Sequence, residues 1–136
     1  MNEARILLVE DSRDDEELAL LALRQAGVSA TVQVARDGEE AVACLAAMPP
    51  GGFRLVLLDL KIPKLDGFEV LRRIRSGNGT ALLPVVVFSS SDTPSDIERA
   101  YRLGASAYVC KPVEFDQYSE VVGQIASFWI GLNRSP

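Results

Sequence analysis

The chain has 136 residues, 48% of them hydrophobic and 24% charged, a balance that suits one globular domain and not a disordered tract. A formal net charge of −5 with scattered basic residues leaves no phosphate-neutralising patch for nucleic acid, and no apolar run approaches the ~20 residues of a membrane span. The chain contains no histidine, which removes Ser-His-Asp and Cys-His nucleophiles, nearly all zinc chemistry and any histidine phosphocarrier.

The first segment, "MNEARILLVED", has no basic stretch ahead of an apolar core and does not read as a signal peptide. Within it, Arg5 to Val9 is continuously apolar after the arginine, as a strand buried on both faces should be. A helical pattern then covers 14–26, with Leu18, Leu21, Ala22 and Gln25 on one face and Gly27 as its stop. Thr31 to Ala35 alternates more and reads as a strand nearer an edge. A second helix is expected at about 38–48, closed by "PPGG". Arg54 to Leu58 and Pro84 to Phe88 are again continuous apolar strands, separated by a helix at 67–76 and the loop "SGNG". A helix at 95–103, the loop "RLGAS", a short edge strand Ala107 to Cys110 and a helix at 115–130 complete the chain. Strict alternation of strand and helix specifies an α/β doubly wound fold with a parallel sheet. No repeat or interdomain linker appears, so residues 1–136 read as one domain, extended by helix beyond about 126. Cys44 and Cys110 fit neither a disulfide framework nor a metal knuckle and read as reduced thiols in a cytoplasmic protein.

Right-handed crossovers place every strand's carboxyl end on one edge of such a sheet, and ligands bind there. Those ends carry Glu10-Asp11, Asp59, Ser89 and Lys111-Pro112. Three carboxylates gathered at one edge raise each other's pKa unless a cation joins them, and hard oxygen donors suit Mg²⁺. A carboxylate beside a metal, a hydroxyl and an ammonium can attack a phosphoryl group and form an aspartyl phosphate. Ser90 remains the alternative to Ser89 in register. Asp66-Gly67 reads as a turn and helix start. Asp14, Asp15, Glu16 and Glu17 read as a solvated first turn favoured by the helix dipole.

The ordered set "LVED", "LVLLDLKIPKLDG", "VVVFSS" and "YVCKP" resembles the response-regulator receiver domain of two-component signalling, from about Arg5 to Ile125. The resemblance implies a flavodoxin-like (βα)5 fold with strand order 2-1-3-4-5. It further implies Asp59 as phosphoacceptor, with Mg²⁺ held by Asp11, Asp59 and the backbone carbonyl of Lys61, and by Glu10 largely through water. Ser89 and Lys111 would meet the phosphoryl group, Ser89 and Tyr108 would form the switch, and the Lys111–Pro112 bond would be cis. Such a domain catalyses its own phosphorylation and dephosphorylation, with Lys61 and Ser91 flanking the water path.

The last helix places Phe115, Tyr118, Val122, Ile125, Trp129 and Leu132 on a core-facing stripe, widened by Val121 and Phe128 to an arc of roughly 140° at about 100° per residue. That breadth suggests an association surface, such as a homodimer contact. The tail is similar to that of single-domain regulators paired with bacterial phytochrome histidine kinases, so the expected partner is a sensor histidine kinase, with output through protein contacts and neither nucleic acid nor membrane bound. Other classes fit less well. An aspartate-nucleophile phosphatase would need an acid two residues after Asp59, where Lys61 stands. A flavin module would place a phosphate against the acidic "EDSRDD" loop. An interaction module with a dead acceptor lacks support because every site residue is present, and no Gly-rich loop ending in Lys-Ser/Thr exists for nucleotide hydrolysis.

Overall fold

In the computed structural model, residues 4–49 and 52–136 are described; the first three residues, and Pro50 and Gly51 of the "PPGG" loop, lie outside them. The apolar runs form β1 (Ala4–Val9), β2 (Ala30–Ala35), β3 (Leu55–Leu58), β4 (Val85–Ser89) and β5 (Ala107–Cys110). All pair in parallel in the order β2-β1-β3-β4-β5, so β2 and β5 are the edges. Between them run α1 (Arg13–Gln25), α2 (Gly38–Ala47), α3 (Gly67–Ser76) and α4 (Pro94–Arg102), with α5 (Phe115–Ala126) last. Ser12, Asp37, Asp66 and Thr93 each accept a hydrogen bond from a backbone N–H three residues on, capping α1 to α4 where the chain leaves the sheet edge. Such a cap is worth about 1 kcal/mol. Asp66 is thus the helix-start residue its Asp-Gly sequence suggests.

Alternation along the strands divides the core. Ile6, Leu8, Leu55, Leu57, Val86 and Phe88 face α1 and α5, while Leu7, Val9, Val56, Leu58 and Val85 face α2 and α3. A smaller cluster of Leu60, Phe68, Val87 and Ala100 seats α4. The central strands are buried on both faces, which is why their sequences do not alternate.

Two expectations about the helices need correction. On α1 the inward face is Ala19, Ala22 and Leu23, with Leu18 beside it, and Leu21 and Gln25 point to solvent. The inward stripe is centred on Ala19, Ala22 and Leu23, and its two alanines let the helix lie close to the sheet. The C-terminal helix is not uniform: after Ala126 it widens into a π-helical segment, Ser127–Leu132. Tyr118, Val122, Ile125 and Ile130 are buried, whereas Phe115 and Leu132 are exposed and Trp129 is half-buried. Closure over five residues carries Ile130, not Trp129, into the column of Ile125.

Candidate functional site

The backbone ladder does not stop with the strands. Glu10 N–H donates to Ala35 O at 2.9 Å, Asp59 N–H to Val9 O at 3.1 Å and Lys111 N–H to Ser89 O at 2.8 Å. These bonds fix the residue after each strand at one edge of the sheet. Gly67 allows α3 to begin directly behind Asp59: a Cβ there would lie 2.5 Å from the Asp59 carbonyl oxygen.

Lys111 Nζ donates to Glu10 Oε1 at 2.8 Å, to Asp15 Oδ2 at 3.1 Å and to Asp59 Oδ2 at 3.1 Å. Its side chain is 11% exposed, Glu10's 4% and Asp59's 13%. The ammonium also lies 5.9 Å above the Phe88 ring, near the outer limit for a cation–π contact. Three carboxylates around one ammonium leave excess negative charge in a half-closed cleft. Burial raises the Glu10 carboxyl far above the ordinary carboxylate value, and the Asp59 hydrogen bond adds to the effect. Burial alone would lower Lys111, but its bond to Glu10 and the charges of Asp59, Glu10 and Asp15 raise it overall, so it stays protonated. Burial would also raise Asp15; its bond to Glu10 and the Lys111 charge outweigh this and lower it. The surroundings of Glu10, the deepest acid, therefore favour its protonated form while no cation is bound.

Glu10, Asp11 and Asp59 each offer an oxygen, and these oxygens lie within 4.8 Å of one another. Glu10 Oε2 is buried and has no hydrogen-bond partner. An all-oxygen cluster with one unsatisfied buried acceptor is the donor set a hard divalent cation fits.

Residues 6–122 match the response regulator receiver domain family. The chain belongs to that family. Over 99% of both chains, the receiver domain superposes with a TM-score of 0.91 and 36% identity on the phosphorylated cyanobacterial phytochrome response regulator RcpA. It is 34% identical over 131 residues to Response regulator Rcp1 of Synechocystis sp., covering 92% of this chain and 88% of that one, and superposes on the Mn(2+)-bound form of Rcp1 with a TM-score of 0.88 and 33% identity over 98% of this chain and 99% of that one. A probable methanogenesis regulatory protein of Methanothrix harundinacea, FilR2, is 38% identical over 134 residues, 96% of this chain and 86% of the relative.

Around the receiver domain's acidic cluster, Ser89 ends β4 fully buried, its Oγ accepting from Ser91 N–H at 3.1 Å, while Ser90 is exposed. Tyr108 is half-buried and donates its hydroxyl to Ser91 O at 2.8 Å; burial raises its pKa. Ser91 Oγ donates to Asp96 Oδ2 at 2.6 Å, tying the β4–α4 loop to the first turn of α4. Lys61 N–H donates to Asp59 Oδ1 at 3.3 Å, and the Lys61 side chain is exposed.

The geometry corrects two further expectations. The Lys111–Pro112 bond is trans, since the described residues contain no cis peptide; trans is the form X–Pro favours by about 0.5–1 kcal/mol, and Lys111 reaches its three partners from it. Asp15, expected in the solvated first turn, instead meets Lys111. Asp14 and Glu17 are exposed as expected, whereas Glu16 is not solvated: its side chain is 14% exposed and pairs with Arg36 at 3.0 Å. The signal that could have found Asp15 is its place on the third residue of a helix that starts at the acidic edge. No described helix is long and apolar enough to cross a membrane.

Proposed function

We propose that this receiver domain accepts a phosphoryl group on Asp59, with Mg²⁺ bound, from the phosphohistidine of a partner sensor histidine kinase in the cytoplasm. The observation that carries the proposal is Asp59 placed 3.1 Å from a protonated Lys111 inside the Glu10, Asp11 and Asp59 cluster. A carboxylate oxygen of Asp59 attacks the phosphorus in line; the P–N bond breaks as the O–P bond forms, and the imidazole leaves. Lys111 turns a donor from the carboxylate to a phosphoryl oxygen, and Ser89 releases the Ser91 N–H to meet another. Bound Mg²⁺ would be held by Glu10, Asp11, Asp59 and the Lys61 carbonyl, and it would neutralise charge on the transferred oxygens. Tyr108, anchored on the Ser91 carbonyl, moves with the loop as Ser89 shifts, so the phosphate biases an existing equilibrium between two surfaces. Attack by water on the acyl phosphate restores Asp59 and releases phosphate, with Lys61 and Ser91 beside the approach.

Intact-mass measurement with acetyl phosphate and Mg²⁺ tests this. Wild type should gain one phosphoryl mass, lost on adding a chelator, and Asp59→Asn should gain none; equal labelling of the two proteins would sink the assignment.

The likeness to a phytochrome response regulator supports a bacterial phytochrome as the kinase that supplies the phosphoryl group. Phe128 at 48% and Leu132 at 71% exposure support a homodimer contact through the C-terminal helical region. Sedimentation should then show wild type as a dimer and Phe128→Asp as a monomer of unchanged helicity; a monomeric wild type would remove the contact.

A further inference from the structure

We propose that Asp15 is a positioning residue for Lys111, the carboxylate that keeps the ammonium at the site once a divalent cation engages Glu10 and Asp59. The inference rests on the reading of Asp59 as phosphoacceptor and adds a residue to it. An ammonium has three N–H donors. Here all three are used, on Glu10 Oε1 at 2.8 Å, Asp15 Oδ2 at 3.1 Å and Asp59 Oδ2 at 3.1 Å. Two of these acceptors belong to the cluster of oxygens within 4.8 Å that suits a cation, and Asp15 does not.

A divalent ion at that cluster repels the ammonium and draws electron density from the two carboxylates it shares with it. Lys111 sits on a flexible four-carbon stem, so an ammonium with both anchors weakened swings toward solvent. Asp15 prevents this. Its own place is fixed from two sides: its N–H donates to Ser12 Oγ at 3.3 Å, and its carbonyl accepts the Tyr118 hydroxyl at 3.2 Å. The α1 cap and the Tyr118 hydroxyl of α5 thus hold the Asp15 backbone in place, and with it a carboxylate on Lys111 that stands outside the set of cation ligands. Lys111 keeps Asp15 as its pivot and presents the donor that had served Asp59 to the incoming phosphoryl group.

A double-mutant cycle on the full chain separates this role from a direct one at the metal. Free Mn²⁺ is followed by electron paramagnetic resonance during titration, and acetyl phosphate labelling is followed by mass, for wild type, Asp15→Asn, Lys111→Met and the double variant. Asp15→Asn should slow labelling about tenfold, the size of one lost charge-assisted hydrogen bond, and Asp15→Glu should recover most of it. Asp14→Asn, a change at an exposed acid one residue away, should label as wild type. Asp15→Asn should weaken Mn²⁺ about threefold when Lys111 is present, because the ammonium then leans harder on the cation's ligands, and by less than about twofold in the Lys111→Met background. Equal weakening of Mn²⁺ in both backgrounds would make Asp15 a partner of the metal and overturn the proposal. Wild-type Mn²⁺ affinity in Asp15→Asn would overturn it as well, leaving Asp15 a contact of Lys111 with no bearing on the cation. If wild type and Asp59→Asn label alike, the acceptor reading fails, and the Mn²⁺ cycle still decides the role of Asp15.

Discussion

Glu10 is the deepest acid of the site, with one oxygen on Lys111 Nζ at 2.8 Å and the other buried without a donor. Burial, then the Asp59 hydrogen bond, raise its folded pKa above the unfolded value of 4.5. Below 4.5 it is protonated in both states, and its contribution to stability is complete. As pH rises past that value only the unfolded chain gives up the proton, so the metal-free protein loses stability until Glu10 itself ionises. A divalent cation needs the ionised form and must expel the proton. Apparent Mg²⁺ affinity should therefore rise from about pH 6 to about pH 8, by at most tenfold per pH unit for one proton. Calorimetry in two buffers of different protonation enthalpy checks this; equal heats and a flat affinity would show that Glu10 binds no proton in the fold. The residues of this site differ in how readily sequence exposes them. Asp59 and Lys111 come directly after apolar runs, so a strand model alone carries them to the edge. Asp15 is reached only by knowing the phase of α1 against the sheet, and four consecutive acids conceal which one turns inward.

The C-terminal helix shows the same limit in an element. Apolar spacings of 3 and 4 led to a uniform stripe from Phe115 through Trp129 and Leu132, and that pattern is real only from Tyr118 to Ile125. Beyond it, Asn133 N–H donates to Phe128 O at 2.6 Å, five residues back, and Arg54 Nη2 donates to Ile130 O at 2.9 Å. The guanidinium comes from the residue just before β3, so the widened turn depends on a contact 76 residues distant that no local period records. Packing sets the phase of this segment against α-helical continuation. Ile130, at 8% exposure, joins the core that α1 and α5 build, and Leu132 does not. Ile130→Ala should cost about 2–4 kcal/mol in urea unfolding, as a buried aliphatic truncation does. Leu132→Ala should stay within about 0.5 kcal/mol. Comparable losses would restore the uniform stripe and remove the functional weight of the π-helical turn.

For the molecule as a whole, the parallel sheet was legible from strict alternation of strands and helices, because strands buried on both faces read as continuous apolar runs, whereas its order β2-β1-β3-β4-β5 was implied only by the family resemblance. The consequence of that order is electrostatic. Crossovers deliver Glu10 and Asp11 from β1, Asp59 from β3 and Lys111 from β5 to one edge, so residues 101 positions apart meet at 2.8 Å. The fold thus gathers acids that repel one another, and either Lys111 or a divalent cation must neutralise them. If both draw on Glu10 and Asp59, removing the lysine should weaken the metal-free protein and strengthen cation binding. Lys111→Met should unfold at a lower temperature than wild type without metal. Saturating Mg²⁺ should then raise its midpoint by more than it raises that of wild type. A tenfold gain in affinity corresponds to about 1.4 kcal/mol, or about 4–7 °C for a domain of this size. Thermal unfolding of both proteins with Mg²⁺ and with a chelator measures the two shifts. Equal shifts would mean that lysine and cation do not share their carboxylates, and the exchange on which phosphoryl transfer at Asp59 depends would have no basis.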